Sequence, residues 1–140
     1  MNNHPIGIFD SGIGGLSIFG QISYLLPNEN LIYVGDTAFL PYGTKSRDLI
    51  QDRAHKICSY LLSKHCKAIV VACNTATSVA IQKLRANFSV PIIGIEPAVK
   101  PATQQTRSRV IGILATEGTL EGEKFATLKQ RFGNDITILH

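Results

Sequence analysis

Apolar positions along this chain fall into two alternating patterns. Short continuous runs at 6–9, 31–34, 68–72 and 90–95 predict strands. Longer stretches with apolar residues three and four apart predict helices at 15–26, 46–64 and 75–85. The first helix carries Leu16, Phe19, Ile22, Leu25 and Leu26 on one side, and the second a stripe of Leu49, Ile50, Ala54, Ile57, Tyr60 and Leu61. Pro91 opens the fourth strand, where it spares a ladder hydrogen bond. Short apolar strands alternating with helices imply an α/β fold: an open, mainly parallel four-stranded sheet with helices on both faces and right-handed crossovers. The segment Glu96-Pro97-Ala98-Val99-Lys100-Pro101 interrupts the alternation with two prolines and reads as a boundary or hinge. Beyond it a strand at 110–114, a helix at 121–131 and a strand at 136–139 predict an incomplete second α/β unit. The expected division is therefore 1–97 for a first domain and 98–140 for the hinge and the start of a second.

Ligands of open parallel sheets bind outside the carboxyl ends of the strands, so what lies there carries the chemistry. The first strand runs into Asp10-Ser11-Gly12-Ile13-Gly14-Gly15 and the second into Gly35-Asp36, followed by Pro41-Tyr42-Gly43. The third runs into Cys73-Asn74-Thr75 and the fourth into Glu96. A carboxylate, a hydroxyl, a glycine-rich turn, a thiol and an amide are thus expected at one edge. Cys73 falls at a strand-to-helix turn with Asn74 or Thr75 as the helix cap, and a thiol facing a helix's positive end is placed to act as thiolate. The alternative is a small apolar core residue, the commonest fate of a free cysteine.

The glycine turn also invites a dinucleotide reading, with Asp36 about where a ribose-binding acid would stand. Two features oppose it: Ser17 replaces the third glycine of the fingerprint, and Asp10 sets a negative charge beside any pyrophosphate. The glycines more simply bring backbone amides to a small anionic substrate. His55, Cys58, His65 and Cys66 are close in sequence but match no zinc-ligand spacing, and Cys58 falls near a buried stripe; no metal is expected.

Composition narrows the class. At 140 residues, 44% hydrophobic and 17% charged, the chain is globular rather than disordered. No apolar run reaches membrane-spanning length, and Met1-Asn2-Asn3-His4-Pro5 has no basic stretch leading into an apolar core. Three cysteines form no disulfide framework, so a reducing, cytoplasmic setting is expected. The net charge of +4 is spread over scattered residues without interleaved aromatics, which argues against nucleic acid as partner.

Taken in order, Asp10-Ser11-Gly12-x-Gly14-Gly15, Gly35-Asp36 with Pro41-Tyr42-Gly43, and Ala72-Cys73-Asn74-Thr75 resemble the N-terminal half of the glutamate racemases, in the aspartate/glutamate racemase superfamily. Ile95-Glu96-Pro97 and Leu114-Ala115-Thr116-Glu117-Gly118-Thr119 continue the likeness across essentially the whole chain. The resemblance implies interconversion of L- and D-glutamate for bacterial peptidoglycan without a cofactor, by two cysteines working from opposite faces of a cleft between two similar domains, commonly in a homodimer. It makes Cys73 the first proton-transferring cysteine and Asp10 its assisting carboxylate. Ser11, Tyr42, Gly43, Asn74 and Thr75, with Thr119, become substrate holders. The family's second cysteine, in a Gly-Cys-Thr-His motif, has no counterpart in these 140 residues. Inversion by proton transfer needs a base on one face and an acid on the other, so this chain alone is not expected to racemise. Cys58, mid-helix, and Cys66, at the opposite end of a strand, do not substitute. Asp10 opposes a neighbouring thiolate by like charge, and so suits proton acceptance or pairing with the substrate ammonium. A rival expectation is a non-catalytic fragment that binds acidic amino acids or a protein partner.

Overall fold

The computed structural model describes residues 3–133 and 135–139; Met1, Asn2, Asn134 and His140 lie outside the described residues. Four strands, β1 (Ile6–Asp10), β2 (Leu31–Gly35), β3 (Ala68–Val71) and β4 (Ile92–Gly94), form one parallel sheet in the order β2-β1-β3-β4. Side chains along a strand alternate between faces, and here the alternation separates two cores. Ile8, Val70 and Ala72 face one side, where Ile18, Phe19 and Ile22 of helix α1 (Leu16–Leu25) cover them. Phe9, Ile69 and Val71 face the other, beneath α2 (Arg47–Ser63) and α3 (Asn74–Asn87). Helices on both faces of a parallel sheet follow the expected class.

The predicted stripes need correction in two helices. In α2 the buried residues are Ile50, Ala54, Ile57, Cys58 and Leu61, while Tyr60 is 50% exposed and Leu49 only half-buried. At about 100° per residue, Tyr60 points about 105° from the centre of that stripe, and an apolar residue there borders the core rather than filling it. In α1, Leu16, Leu25 and Leu26 are exposed, so apolar residues surround this helix while only one side meets the sheet.

The cap of α2 is conventional: Ser46 Oγ accepts from Leu49 N at 3.3 Å, with Asp48 in the first turn. The strand predicted at 90–95 is shorter. Pro91 stands just before it, its carbonyl accepting from Ile69 N at 3.0 Å.

Where two prolines predict only a break, the chain forms α4 (Val99–Gln105). Pro101 sits in its first turn, where a missing N–H costs nothing because no intrahelical acceptor exists yet. Strands β5 (Val110–Gly112) and β6 (Thr137–Leu139) pair in parallel as a separate two-stranded sheet. With α5 (Glu117–Leu120) and α6 (Glu123–Phe132) they complete the described elements. A second core of Val99, Ile111, Phe125 and Leu128 holds this part together. The Lys124–Glu96 ion pair at 3.0 Å and hydroxyl contacts described below join it to the first sheet.

Candidate active site

In the order β2-β1-β3-β4 the winding reverses between β1 and β3, and a crevice opens at that switch point beyond the strands' carboxyl ends. Asp10 ends β1 and Cys73 follows β3, so both predicted groups flank it. A cleft of about 480 Å³ lies there, lined by Asp10, Gly14, Ser17, Ala72, Cys73, Asn74 and Thr75 on one side and by Leu114, Thr116 and Thr119 on the other. A second groove between α2 and α3, of about 360 Å³ with Asp52, His55 and Lys83, holds none of these groups.

Cys73 itself, rather than Asn74 or Thr75, caps α3. Its Sγ accepts from Ala76 N at 3.4 Å and lies 3.6 Å from Ser11 Oγ. The thiol is 6% exposed, reached from the cleft it lines. The amides of Asn74 and Thr75 precede any intrahelical acceptor, so the start of α3 presents donors beside the sulfur.

Asp10 plays a different part from the one its glycine turn suggests. Its Oδ2 accepts from Gly12 N and Gly15 N, both at 3.1 Å. The amides of Leu16 and Ser17 go to the carbonyls of Ile13 and Gly14. Four donors of the turn and the helix start are therefore engaged by the protein's own carboxylate and carbonyls rather than held open for a substrate anion, which weighs further against a pyrophosphate cradle. Gly15 must be glycine on grounds of space: a Cβ there would stand 2.7 Å from Asp10 Cβ and 3.0 Å from Ala72 Cβ. Tyr33, on β2, donates to Gly12 O at 3.0 Å and fixes the turn from below. Burial raises its pKa, and the neighbouring charges of Asp10 and Cys73 add to that.

Asp36, buried, receives three hydrogen bonds. Arg53 of α2 donates from Nε and Nη2 at 3.0 and 2.8 Å, and Tyr42 OH donates at 2.6 Å. Burial alone would push the Asp36 carboxyl up, but the hydrogen bonds from Arg53 and Tyr42 and the Arg53 charge bring it below the ordinary range. Tyr42 is raised well above it, by burial first, then by Asp36. The Tyr42 hydroxyl is thus committed to Asp36. Gly43 next to it packs so closely on Thr116 that a Cβ would meet Thr116 Cγ2 at 2.6 Å.

Thr75, Thr116 and Thr119 form a hydroxyl cluster at 2.9 to 3.4 Å across the two parts of the chain. Of the predicted residues, Asp10, Cys73, Asn74, Thr75 and Thr119 line one cleft; Ser11 touches the sulfur, and Tyr42 and Gly43 stand behind Thr116 and Asp36. Glu96 is exposed and paired with Lys124 instead of reaching the thiol. Arg53, Tyr33 and Thr116 are additions. Arg53 was detectable as a cation bordering the 50–54–57 stripe, where half-burial calls for an anionic partner.

The remaining thiols are sealed. Cys58 is fully buried and its pKa is pushed up to about 12 by burial; Cys66 is raised for the same reason, against Gly7 near the start of β1. His55 stacks on Phe88 and His65 lies against His4. Among the described residues no three His, Cys, Asp or Glu side chains group as metal ligands. No helix among them is long and apolar enough to cross a membrane.

Comparison with known proteins agrees with this geometry. Residues 14–136 match the family model of the Asp/Glu/hydantoin racemases. The glutamate racemase of Methylococcus capsulatus is 52% identical over 138 residues, 99% of this chain and 51% of the relative. That of Pseudomonas putida KT2440 is 52% identical over 136 residues, 96% of this chain and again 51% of the relative. Among solved structures, Escherichia coli glutamate racemase in complex with L-glutamate and the activator UDP-MurNAc-Ala superposes with a TM-score of 0.89 at 39% identity, over 97% of this chain and 52% of that one. The Francisella tularensis glutamate racemase in complex with D-glutamate gives 0.79 at 35% identity, over 99% and 52%. The chain spans about half the length of the relatives it matches. With a matching family model over most of its length and a thiol and carboxylate flanking the switch-point cleft, this chain belongs to the Asp/Glu/hydantoin racemase family.

Proposed function

We propose that this chain is the N-terminal half of a glutamate racemase and carries one of its two proton carriers, Cys73. The single observation that supports this most directly is the Cys73 sulfur opening onto the 480 Å³ cleft, 3.6 Å from Ser11 Oγ and beside Asp10. In this reading the Cys73 thiolate removes the α-proton of D-glutamate, and an acid on the opposite face returns a proton to the carbanion, giving L-glutamate. That second group comes from the half of the relatives that this chain does not span. Amides at the start of α3 and the hydroxyls of Ser11, Thr75 and Thr119 hold the carboxylates and offset the charge that develops at the transition state. Asp10, held by Gly12 and Gly15, faces the substrate ammonium or takes the proton from sulfur. Asn74 and the Tyr42-Gly43 turn complete the substrate walls. The chemistry uses no pyridoxal phosphate and no metal, and supplies D-glutamate for peptidoglycan in the cytoplasm. The parts 1–97 and 98–140 act as a first domain and the beginning of a second, and the whole enzyme is a homodimer.

The test is exchange in deuterated water. The 140-residue chain exchanges the α-hydrogen of D-glutamate for deuterium and forms no L-glutamate, because one base returns its deuteron to the same face. Cys73→Ser lowers that exchange about 10²- to 10⁴-fold, the range for loss of a positioned acid–base group. Undiminished exchange in Cys73→Ser, or none in the wild-type chain, overturns the assignment of Cys73.

A further inference from the structure

Residues 36–44 leave the sheet after β2 and return to α2 as an irregular excursion with two single-turn 3-10 segments, Thr37–Phe39 and Tyr42–Thr44. Within it the backbone bonds are local: Phe39 N to Asp36 O and Lys45 N to Tyr42 O, both at 3.0 Å. Such bonds shape the turns, while Tyr42 and Phe39 pack the excursion onto the main core and the Asp36 amide ties its start to β1. One side chain from outside reaches its beginning, middle and end. The Arg53 guanidinium forks onto both carboxylate oxygens of Asp36, lies 4.0 Å over the Phe39 ring, and through Asp36 Oδ2 reaches Tyr42 OH. A bidentate Arg–carboxylate pair is directional as well as strong, so it sets an orientation as well as a distance.

We infer that Arg53 is a positioning residue for the substrate cleft: through Asp36 and Tyr42 it holds Gly43 against Thr116, and so fixes the wall formed by the threonine hydroxyls. This rests on the racemase reading above for its kinetic consequence, though not for its structural one. The route is short at every joint. Tyr42 OH is 2.6 Å from Asp36, Gly43 follows Tyr42 in the chain and is packed on Thr116, and Thr116 Oγ1 is 2.9 Å from Thr75 and 3.0 Å from Thr119. Asp36 is tied on its other side as well, its amide donating to Asp10 O at 2.9 Å. The guanidinium therefore links the carboxylate side of the cleft to its hydroxyl side while lining no part of the cleft itself. A lysine at 53 keeps the charge but loses the fork and the flat face over Phe39, so charge and geometry are separable.

The experiment uses Arg53→Lys and Arg53→Leu in the 140-residue chain, with Tyr42→Phe as the variant that removes only the last link. Amide hydrogen exchange at Lys45 and Thr119, whose amides donate to Tyr42 O and Thr116 O, read by NMR, accelerates about tenfold or more in all three while the amides of β1 and β3 stay protected. In Arg53→Lys and Arg53→Leu the D-glutamate concentration for half-maximal α-hydrogen exchange rises about tenfold, with the saturated rate within about threefold of wild type, as for a lost uniform binding contribution. Unchanged Lys45 and Thr119 amides in folded Arg53→Leu and Arg53→Lys overturn the inference. So does a loss of protection spread evenly over the chain, which marks a purely stabilising ion pair. A wild-type chain inert toward D-glutamate refutes the racemase reading instead, and the amide readout still decides the role of Arg53. If Arg53→Leu does not fold, Arg53→Lys carries the same test and Tyr42→Phe its amide readout.

Discussion

Two glycines five residues apart on α1 make opposite predictions for the same substitution. Gly15 takes helical φ and ψ of −65° and −9°, so alanine meets no backbone penalty; the objection is space. Its Cβ would stand 2.7 Å from Asp10 Cβ, 3.0 Å from Ala72 Cβ and 3.0 Å from Tyr33 OH. The first two neighbours are Cβ atoms bonded to the sheet backbone and cannot rotate away. Carbon contacts settle at about 3.5 Å or more, so the start of α1 must withdraw by about 0.8 Å. That displacement carries Gly15 N from 3.1 Å to about 3.9 Å from Asp10 Oδ2, beyond hydrogen-bond range. Overpacking costs about 1–3 kcal/mol, and a hydrogen bond to a charged group contributes about 1.5–3 kcal/mol. Partial relaxation trades one against the other, so the expected loss for Gly15→Ala is about 2–4 kcal/mol, a large share of an ordinary domain's stability. Gly20, mid-helix and exposed, has nothing within 4 Å of a built Cβ, and Gly20→Ala should gain up to about 1 kcal/mol from helix propensity. Urea unfolding followed by circular dichroism measures both. Gly15→Ala within about 0.5 kcal/mol of wild type, or a destabilised Gly20→Ala, would refute the packing argument.

Three further outcomes follow from the same geometry. Asp36 has a depressed pKa in the folded state, so its contribution is present above the unfolded value of about 3.9 and is lost as pH falls through the lower folded one. Thermal midpoints measured from pH 6 down to pH 2 should therefore decline more steeply in wild type than in Arg53→Leu, where the carboxylate has lost its main partner. Iodoacetamide near pH 8 should alkylate Cys73 well before Cys58, whose buried thiol is raised to about 12, as mass spectrometry of peptides will report; preferential labelling of Cys58 would contradict its enclosure. Leu25, Leu26 and Tyr24 on α1, with Leu114 at the cleft, leave apolar surface exposed. Light scattering should show the 140-residue chain self-associating at micromolar concentration, and a monodisperse monomer would count against that.

How far the residues alone reveal this protein varies along the chain. The four strands and α2 and α3 were legible because continuous apolar runs and a stripe at helical spacing have few other uses. The placing of Asp10 and Cys73 at one cleft was legible too, since they lie at the carboxyl ends of neighbouring strands of a parallel sheet. The prolines at 97 and 101 marked an interruption but not the helix that forms there, since Pro101 is tolerated in its first turn. Leu25, Leu26 and Tyr60 misled for another reason: an apolar residue declares that it can be buried, not that something will cover it. The glycine turn was read as open to anions, whereas Asp10 occupies two of its amides.

Periodicity and strand-end chemistry determined the fold class, the edge where the candidate site lies, and the placing of Cys73 on that edge, because these are local or nearly local properties of the chain. The partnership of Arg53 with Asp36 and Tyr42, the capture of the Gly12 and Gly15 amides, and the meeting of Thr75 with Thr116 and Thr119 were decided only by tertiary structure. Those contacts join residues up to 44 positions apart, or depend on which side of a turn a carboxylate takes. No local pattern encodes such choices; sheet order and packing against a neighbouring helix do.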